Sequence, residues 1–289
     1  MTRTPSHDFG ERAAAYELDA LPKQIEESTQ RVLSGELDDN LVVIFDTLAK
    51  NTAELGCLRY FYAGATTEET LDCFAQSALA TSNMFRLLGT DDAASVNITW
   101  ADTQRTVPKL SQIDLHNSIK IPFGLSMALL SGQADELAII ASIERQQYVH
   151  PQITQHEFIL QYTQYLQLLF LDSNGAKPLK AQLQDQVAKA YSQQDPDSIY
   201  LRAKCDLFLA LPESESEQLV SLLENLLNKH QALFDSERNN MRWNILGLIS
   251  TDALAAAVIA NRLGYNLQSV SPYIPRELLA AAIDRNSVS

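Results

Sequence analysis

Apolar side chains recur at steps of three and four residues along most of the chain, which is the period of an amphipathic α-helix. The first such segment runs from Glu11 to Leu33, and Gly35 follows it at the position where helices often end in a left-handed glycine. The segments Leu41–Ala63 and Thr67–Leu88 repeat this pattern, and each is also followed by a glycine. The sequence therefore predicts three long helices, each closed by glycine.

The helical pattern is interrupted between Asp91 and Pro108. Within this interval, Ser95–Trp100 alternates polar with apolar side chains and contains β-branched residues, which favours a short strand or an extended loop. Helical periodicity then returns and continues through the rest of the chain. The further predicted helices lie at about Gln112–Leu130, Asp135–Gln147, Gln155–Leu171, Pro178–Tyr191, Pro196–Leu211, Ser214–Phe234, Asn244–Leu263 and Pro275–Ile283.

Two of these helices have specific start signals. Asp195 followed by Pro196 combines an N-cap acceptor with proline at the first helical position, and Ser214 with Glu217 has the spacing of a capping box. From Ser111 onward the helices come in neighbouring pairs with short links and no repeat of fixed length. We therefore expect an all-α fold, either an irregular helical bundle or a helical-hairpin array like that of tetratricopeptide repeats, with one short extended segment near residues 95–100.

The chain contains no Ser-, Gly- or Pro-rich linker between its two halves. Because domain boundaries usually fall in such linkers, we expect one domain over residues 1–289. A possible subdivision within it is an N-terminal helical bundle at 1–89, followed by a helical-hairpin array at 111–289.

The composition narrows the range of partners. Asp and Glu number 36 against 22 Lys and Arg, which gives a formal net charge of −14. This deficit of cations argues against direct binding of nucleic acid or of an anionic membrane. No apolar run approaches the ~20 residues of a bilayer span, and the first residues lack a signal-peptide pattern. We therefore expect a cytoplasmic protein in which Cys57, Cys73 and Cys205 are buried free thiols.

Residue types that usually bind metals or perform catalysis are present but form no recognisable motif. His7, His116, His150, His156 and His230 are scattered, without the spacing that places two ligands on one helix face. The chain has no glycine-rich phosphate loop, no nucleophile elbow and no Glu-x-x-His pair. We therefore expect no enzyme activity, no bound metal and no cofactor.

The negative charge is concentrated in the first half of the chain. Residues 1–150 carry a net charge of −10, whereas residues 151–289 carry −4. Acidic side chains at predicted helix ends and loops would attract a basic partner, although the same charge would also keep the protein soluble. The partner-binding residues predicted from this pattern are Glu36, Asp38, Asp39, Asp91, Asp92, Asp135 and Glu136.

The C-terminal third contains a distinctive ordered set of features. A helix with the late His230 is followed by a helix rich in Ala and Leu within Gly247–Gly264 and by the tail Ser271-Pro-Tyr-Ile-Pro-Arg-Glu-Leu-Leu279. This set resembles the ending of the immunity protein 49 family of bacterial polymorphic toxin and type VI secretion effector systems. A weaker similarity to the same family extends upstream through Ala65–Gly89, the extended segment Ser95–Trp100 and the helix pair Ser111–Ser142.

The resemblance implies a non-enzymatic cytoplasmic antidote that binds a cognate toxin and occludes its active site. Toxins that act in the cytoplasm are commonly nucleases, whose active sites are basic because they hold phosphates. An acidic helical surface could fill such a site, so the expected partner is an effector with a basic nuclease-type domain. The sequence makes no prediction of the oligomeric state.

Two other functions fit the same sequence. The protein could be a helical-repeat scaffold that presents a concave groove to peptide or protein partners. It could also be an all-α enzyme, which would require a deep pocket where His, Asp and Glu side chains converge with perturbed pKa values.

Overall fold

Three long helices open the structure, and local sequence signals set their ends. The computed structural model describes residues 9–88, 95–110, 117–148, 157–193, 195–234, 244–267 and 271–287. Helix α1 (Glu11–Ser34) ends at Gly35, whose φ of 76° is left-handed and favours glycine. Helix α2 spans Leu41–Tyr62, and α3 (Thr67–Leu87) begins after a capping box formed by Thr66 and Glu69. The three predicted helices are confirmed, and Gly64, with a φ of 67°, follows the end of α2. Gly89, predicted to close α3, lies outside the described residues.

A β-hairpin follows the third helix. Strand β1 (Ser95–Trp100) pairs antiparallel with β2 (Thr103–Pro108), and Trp100 lies opposite Thr103 across a two-residue turn. Both turn residues, Ala101 and Asp102, have positive φ, as a tight hairpin turn of the primed type requires. The first strand matches the extended segment expected from the sequence, whereas the second strand was not predicted.

The remaining helices account for most of the chain, which makes the fold all-α with one small sheet. Asp195 accepts a hydrogen bond from the Ser198 amide at 2.9 Å and precedes proline, so its predicted N-cap role is confirmed. The helices are α4 (Asn117–Ser131), α5 (Ala134–Ala141), α6 (Arg145–Tyr148), α7 (Glu157–Leu171), α8 (Ser173–Ala190), α9 (Pro196–Ala210), α10 (Ser216–Phe234), α11 (Thr251–Arg262) and α12 (Arg276–Ser287).

The structure differs from the predicted boundaries at several helices. The segment predicted as one helix from Asp135 is split into α5 and α6. Helix α8 begins five residues before Pro178, and α10 begins at Ser216, so Ser214 is not its N-cap residue. A 3-10 turn at Ile245–Leu248 precedes α11 where one continuous helix was expected. The spacing of apolar residues did not reveal these boundaries, because a break of a few residues barely changes the three- and four-residue pattern on either side of it.

Helix α4 has the most central position of the described helices, with contacts to α3, α5, α7, α11 and α12. Helices α7 to α10 contact one another in chain order, as in a hairpin array. The last two helices return to α4, and the 3-10 turn before α11 contacts α2. These long-range contacts distinguish the fold from an open solenoid, in which each repeat contacts only its neighbours.

Arg285 joins α12 to the first half of the chain. Its guanidinium donates to Glu68 at 3.1 Å and to Asp72 at 2.8 Å, both near the start of α3, and to the carbonyl oxygen of Ser131 at 3.3 Å. The Arg285 side chain also packs closely against Gly132, whose φ is 70°. The last helix is thereby fixed to α3 and to the end of α4.

One cluster of buried apolar side chains extends through the described chain, from Phe9 to Ala282. The three cysteines are buried and free, as expected from the sequence. Within the described ranges, none of the helices combines the length and the apolar character that a bilayer span needs. Whether the chain forms one domain or a bundle with an appended array stays a prediction.

Candidate partner-binding surface

The connection between α1 and α2 carries three of the acidic residues predicted to bind a partner. We call residues 35–43 the α1–α2 corner. The chain leaves α1 at Gly35, makes a 3-10 turn at Asp38–Asn40 and enters α2 at Leu41. At this corner Glu36 and Asp39 are exposed and Asp38 is half-buried. Two carboxylates are therefore accessible to a partner.

The third carboxylate has a structural role. Arg105 of β2 donates to both oxygens of Asp38, at 3.0 and 3.1 Å, and also to the carbonyl oxygen of Val32. That carbonyl lies in the last turn of α1, where backbone acceptors lack helical partners and attract cations. Gly35 leaves room for the guanidinium, since a Cβ there would lie 2.7 Å from Nη2 of Arg105. The hairpin thus fixes the conformation of the α1–α2 corner.

Two apolar side chains are exposed at the same corner. The exposed fractions are 38% for Leu37 and 43% for Val43, in a protein whose large apolar side chains are mostly buried. Exposed apolar side chains bordered by charges are typical of protein interaction sites. Sequence reasoning did not identify either residue, although Leu37 stands between acidic residues outside the helical pattern.

The other two described acidic residues, Asp135 and Glu136, occupy the first turn of α5. Negative charge is stabilising there because it complements the helix dipole. Asp135 is exposed, but one carboxylate oxygen of Glu136 is buried and has no hydrogen-bond partner within the described residues. Glu136 is therefore turned partly inward, and Asp135 is the more accessible of the two.

The structure places these acids in two separate parts of the fold. The α1–α2 corner belongs to the layer formed by α1, α2 and β1, whereas α5 contacts α3, α4 and α7. Asp91 and Asp92 lie outside the described residues. The predicted acidic set is thus divided, and Glu36, Asp38 and Asp39 form its largest described group.

A cleft between α1, α2 and α3 brings further acids together. It has a volume of about 320 Å³, and its walls include Glu26, Glu69, Asp72, Arg59 and Cys73. Each of the three carboxylates accepts a hydrogen bond: Glu26 from Gln30 one turn along α1, Glu69 from the Thr66 amide, and Asp72 from Arg285 of α12. The backbone amide of Thr66 lowers the pKa of Glu69, so this side chain is ionised near neutral pH.

Cys73 in the same cleft is in its thiol form, because burial raises its pKa even though Arg59 acts in the opposite direction. Cys73 thus contributes a neutral thiol to this cleft, and Glu69 contributes an ionised carboxylate held by the Thr66 amide. Among the described residues there is also no group of three or more His, Cys, Asp and Glu side chains that could hold a metal ion.

The C-terminal residues that carry the resemblance form part of the core. His230 is buried, and its Nε2 lies 2.9 Å from the carbonyl oxygen of Gly247. Its ring packs against Tyr273, with ring centroids 4.8 Å apart, and against Tyr200 at 5.7 Å. Tyr200 in turn donates to Asp252 at 2.9 Å. These residues therefore stabilise the fold and present little surface to a partner.

A second cleft, of about 280 Å³, lies between α11 and α12. Its floor contains buried Ala257 and Leu267, and Asn261, Asn266 and Arg276 are exposed at its rim. An apolar floor with a polar rim is typical of small binding grooves. The described residues that line it include no carboxylate, which distinguishes this part of the cleft from the α1–α2 corner.

The chain matches a model of a known protein family. The family model described as immunity protein 49 matches residues 63–278, which is most of the chain. Comparisons with curated proteins and with solved structures gave no match. The match begins after the α1–α2 corner and includes α3 to α11, together with the buried cluster around His230. The chain therefore belongs to the immunity protein 49 family.

Proposed function

We propose that this protein neutralises a cognate antibacterial toxin by binding it in the cytoplasm and occluding its active site, and that the toxin is a nuclease. The observation that carries the immunity role is the family match over residues 63–278. The toxin is delivered by a neighbouring cell or made in the same cell. The protein acts as a binding partner without catalysis of its own.

The charge of the chain supports a basic partner. A nuclease holds phosphates in a basic active site, and this protein carries a net charge of −14. Complementary charge of this kind accelerates diffusional encounter and disfavours wrong partners. An acidic helical surface can then occupy the phosphate positions of the nuclease.

The acidic residues are expected to contribute to toxin binding in two different ways. Glu36, Asp39 and Asp135 are exposed, so their charges act on the approaching toxin mainly through the association rate. Asp38 instead contributes by holding the α1–α2 corner in place through Arg105. Exchange of the exposed acids for amides should therefore slow association and weaken its dependence on salt.

The test is co-expression with the toxin gene expected next to the gene of this protein. The toxin should co-purify with the immunity protein, which should protect cells against it and inhibit its cleavage of DNA or RNA in vitro. A toxin that binds but degrades no nucleic acid would overturn the nuclease assignment alone. Failure both to bind and to protect would overturn the immunity role for that pair.

One observation favours a second candidate function, that of a scaffold for peptide or protein partners. The cleft between α11 and α12 has an apolar floor and a polar rim that could accept a short peptide segment. Arg276 lies at this rim. If Arg276→Gln abolished binding of a cellular partner while protection against the toxin was unchanged, the scaffold function would be supported as a separate activity.

A further inference from the structure

Exposed large apolar side chains are few among the described residues, and two of them lie close together in sequence. Leu37 and Val43 are six positions apart at the α1–α2 corner. The others stand alone on separate helices: Tyr16 on α1, Leu171 at the end of α7 and Leu201 on α9. Solitary exposed apolar residues are common on protein surfaces, so the local pair at the corner is the more specific feature.

The two side chains fit within one interface. The segment between them consists of the 3-10 turn and the first turn of α2, which together advance roughly 10 Å along the axis. A protein interface of standard size covers about 800 Å² on each partner, which is much wider than this separation. A single partner surface can therefore cover Leu37 and Val43 together with Glu36 and Asp39.

The corner is also held in a fixed shape before any partner arrives. The hydrogen bonds from Arg105 to Asp38 and Val32 connect it to the hairpin, and Gly35 provides the space for the guanidinium. A preorganised surface loses less conformational entropy on binding than a flexible loop does. The corner therefore presents a backbone of defined shape to a partner.

The corner lies before the part of the chain that the family model describes. The match begins at residue 63, whereas the corner spans residues 35–43. Recognition of one particular toxin requires surface features that belong to this protein rather than to the shared scaffold. The α1–α2 corner lies outside the matched range and is accessible, whereas the cluster around His230 lies inside that range and is buried.

From these observations we infer that the α1–α2 corner is the docking site for the toxin, a conclusion that rests on the proposed immunity function. Leu37 and Val43 insert into an apolar depression on the toxin, and Glu36 and Asp39 contact basic side chains around it. Apolar contacts at the centre with charges at the rim are the usual anatomy of a specific interface. The partner is thus a basic protein surface with an apolar depression.

The test measures binding of the catalytically inactive toxin domain encoded by the adjacent gene. The variant Leu37→Ser with Val43→Thr removes apolar surface and leaves every charge in place. The matched controls are Leu171→Ser and Leu201→Ser, because these exposed leucines lie on α7 and α9, away from the corner. Circular dichroism and thermal unfolding of each variant verify that the fold is intact.

The corner variant should raise Kd about tenfold, mainly through faster dissociation, while the two controls stay within about twofold of wild type. Glu36→Gln with Asp39→Asn should slow association and reduce its salt dependence. Unchanged binding by the corner variant, with wild-type binding intact, would overturn the docking site and leave the immunity function standing. Absence of binding by the wild-type protein would instead overturn the immunity function for that pair.

Discussion

The guanidinium group of Arg105 donates two hydrogen bonds to the carboxylate of Asp38, across 67 residues of sequence. Both side chains are largely shielded from water, so the charged pair is screened less than a surface pair would be. Through this contact the small hairpin determines the conformation of the loop that carries the exposed acids. If the α1–α2 corner is the docking site that we propose, Arg105 sets the shape of that site through Asp38.

Arg105→Met should destabilise the protein by about 1–3 kcal/mol, because it leaves Asp38 and the Val32 carbonyl without their charged donor. Chemical denaturation monitored by circular dichroism measures this change. Lys23→Met is the matched control, since it removes the same charge from an exposed ion pair with Asp19 and should cost less than about 0.5 kcal/mol. Equal losses in the two variants would show that the shielding of Arg105 is unimportant.

Glu54→Gln should stabilise the protein at neutral pH. Glu54 is buried, and desolvation raises its pKa although Lys50 lies 3.6 Å away and acts in the opposite direction. Because its pKa is raised in the folded state, Glu54 contributes to protein stability in its protonated form below the unfolded pKa. This contribution is lost as the pH rises through the folded pKa. The Tm advantage of the variant should therefore grow from acid to neutral pH.

Glu69→Gln should change protein stability at neutral pH in the opposite direction to Glu54→Gln. The pKa of Glu69 is lowered by its hydrogen bond from the Thr66 amide, so its contribution to stability is present above the unfolded pKa and is lost as the pH falls. This variant should be less stable than wild type at neutral pH and equal to it in acid. The same pH trend in both variants would contradict these assignments.

Gly124→Ala should disrupt the packing of α4 on α3. A Cβ at this position would lie 2.5 Å from Cγ2 of Thr81, and the shift needed to avoid this contact should cost about 1–3 kcal/mol. Gly175→Ala in α8 is the control, because the nearest side-chain atom would lie at 3.9 Å. In that variant alanine should be neutral or stabilising by up to about 1 kcal/mol. Urea midpoints of the two variants test the difference.

His230→Leu should separate fold stability from toxin binding. The substitution removes the hydrogen bond to the Gly247 carbonyl and should destabilise the protein by about 1–3 kcal/mol. The affinity of the remaining folded protein for the toxin should be unchanged, since His230 is buried. Weaker toxin binding with normal stability would show that this cluster participates in recognition.

Features that depend on local sequence were predictable. Gly35 and the N-cap Asp195 each act within a few residues, so the end of α1 and the start of α9 follow from the sequence. The all-α class was also predictable, because the three- and four-residue spacing of apolar side chains is a local property of the sequence. Predictions failed where a short break interrupts that period, as between α5 and α6.

The candidate site was predictable only in part. The surplus of acidic residues near Asp38 is visible in the sequence, but its ion pair depends on Arg105 of an unpredicted strand. Likewise, Val43 falls within an apolar helix, and only the packing of α2 shows that its side chain faces solvent. Long-range pairing and the choice of exposed helix face are set by tertiary structure, which a single sequence does not specify.

The bonds from Arg285 to the start of α3 have a consequence for the order of biosynthesis. Glu68 lies 217 residues before Arg285, so the ribosome completes α3 long before its partner in α12 exists. Contacts of such high separation in sequence slow folding and leave early segments incomplete in the nascent chain. The contacts that fix α12 to α3 therefore form only after α12 has left the ribosome, so α3 gains these hydrogen bonds long after its own synthesis.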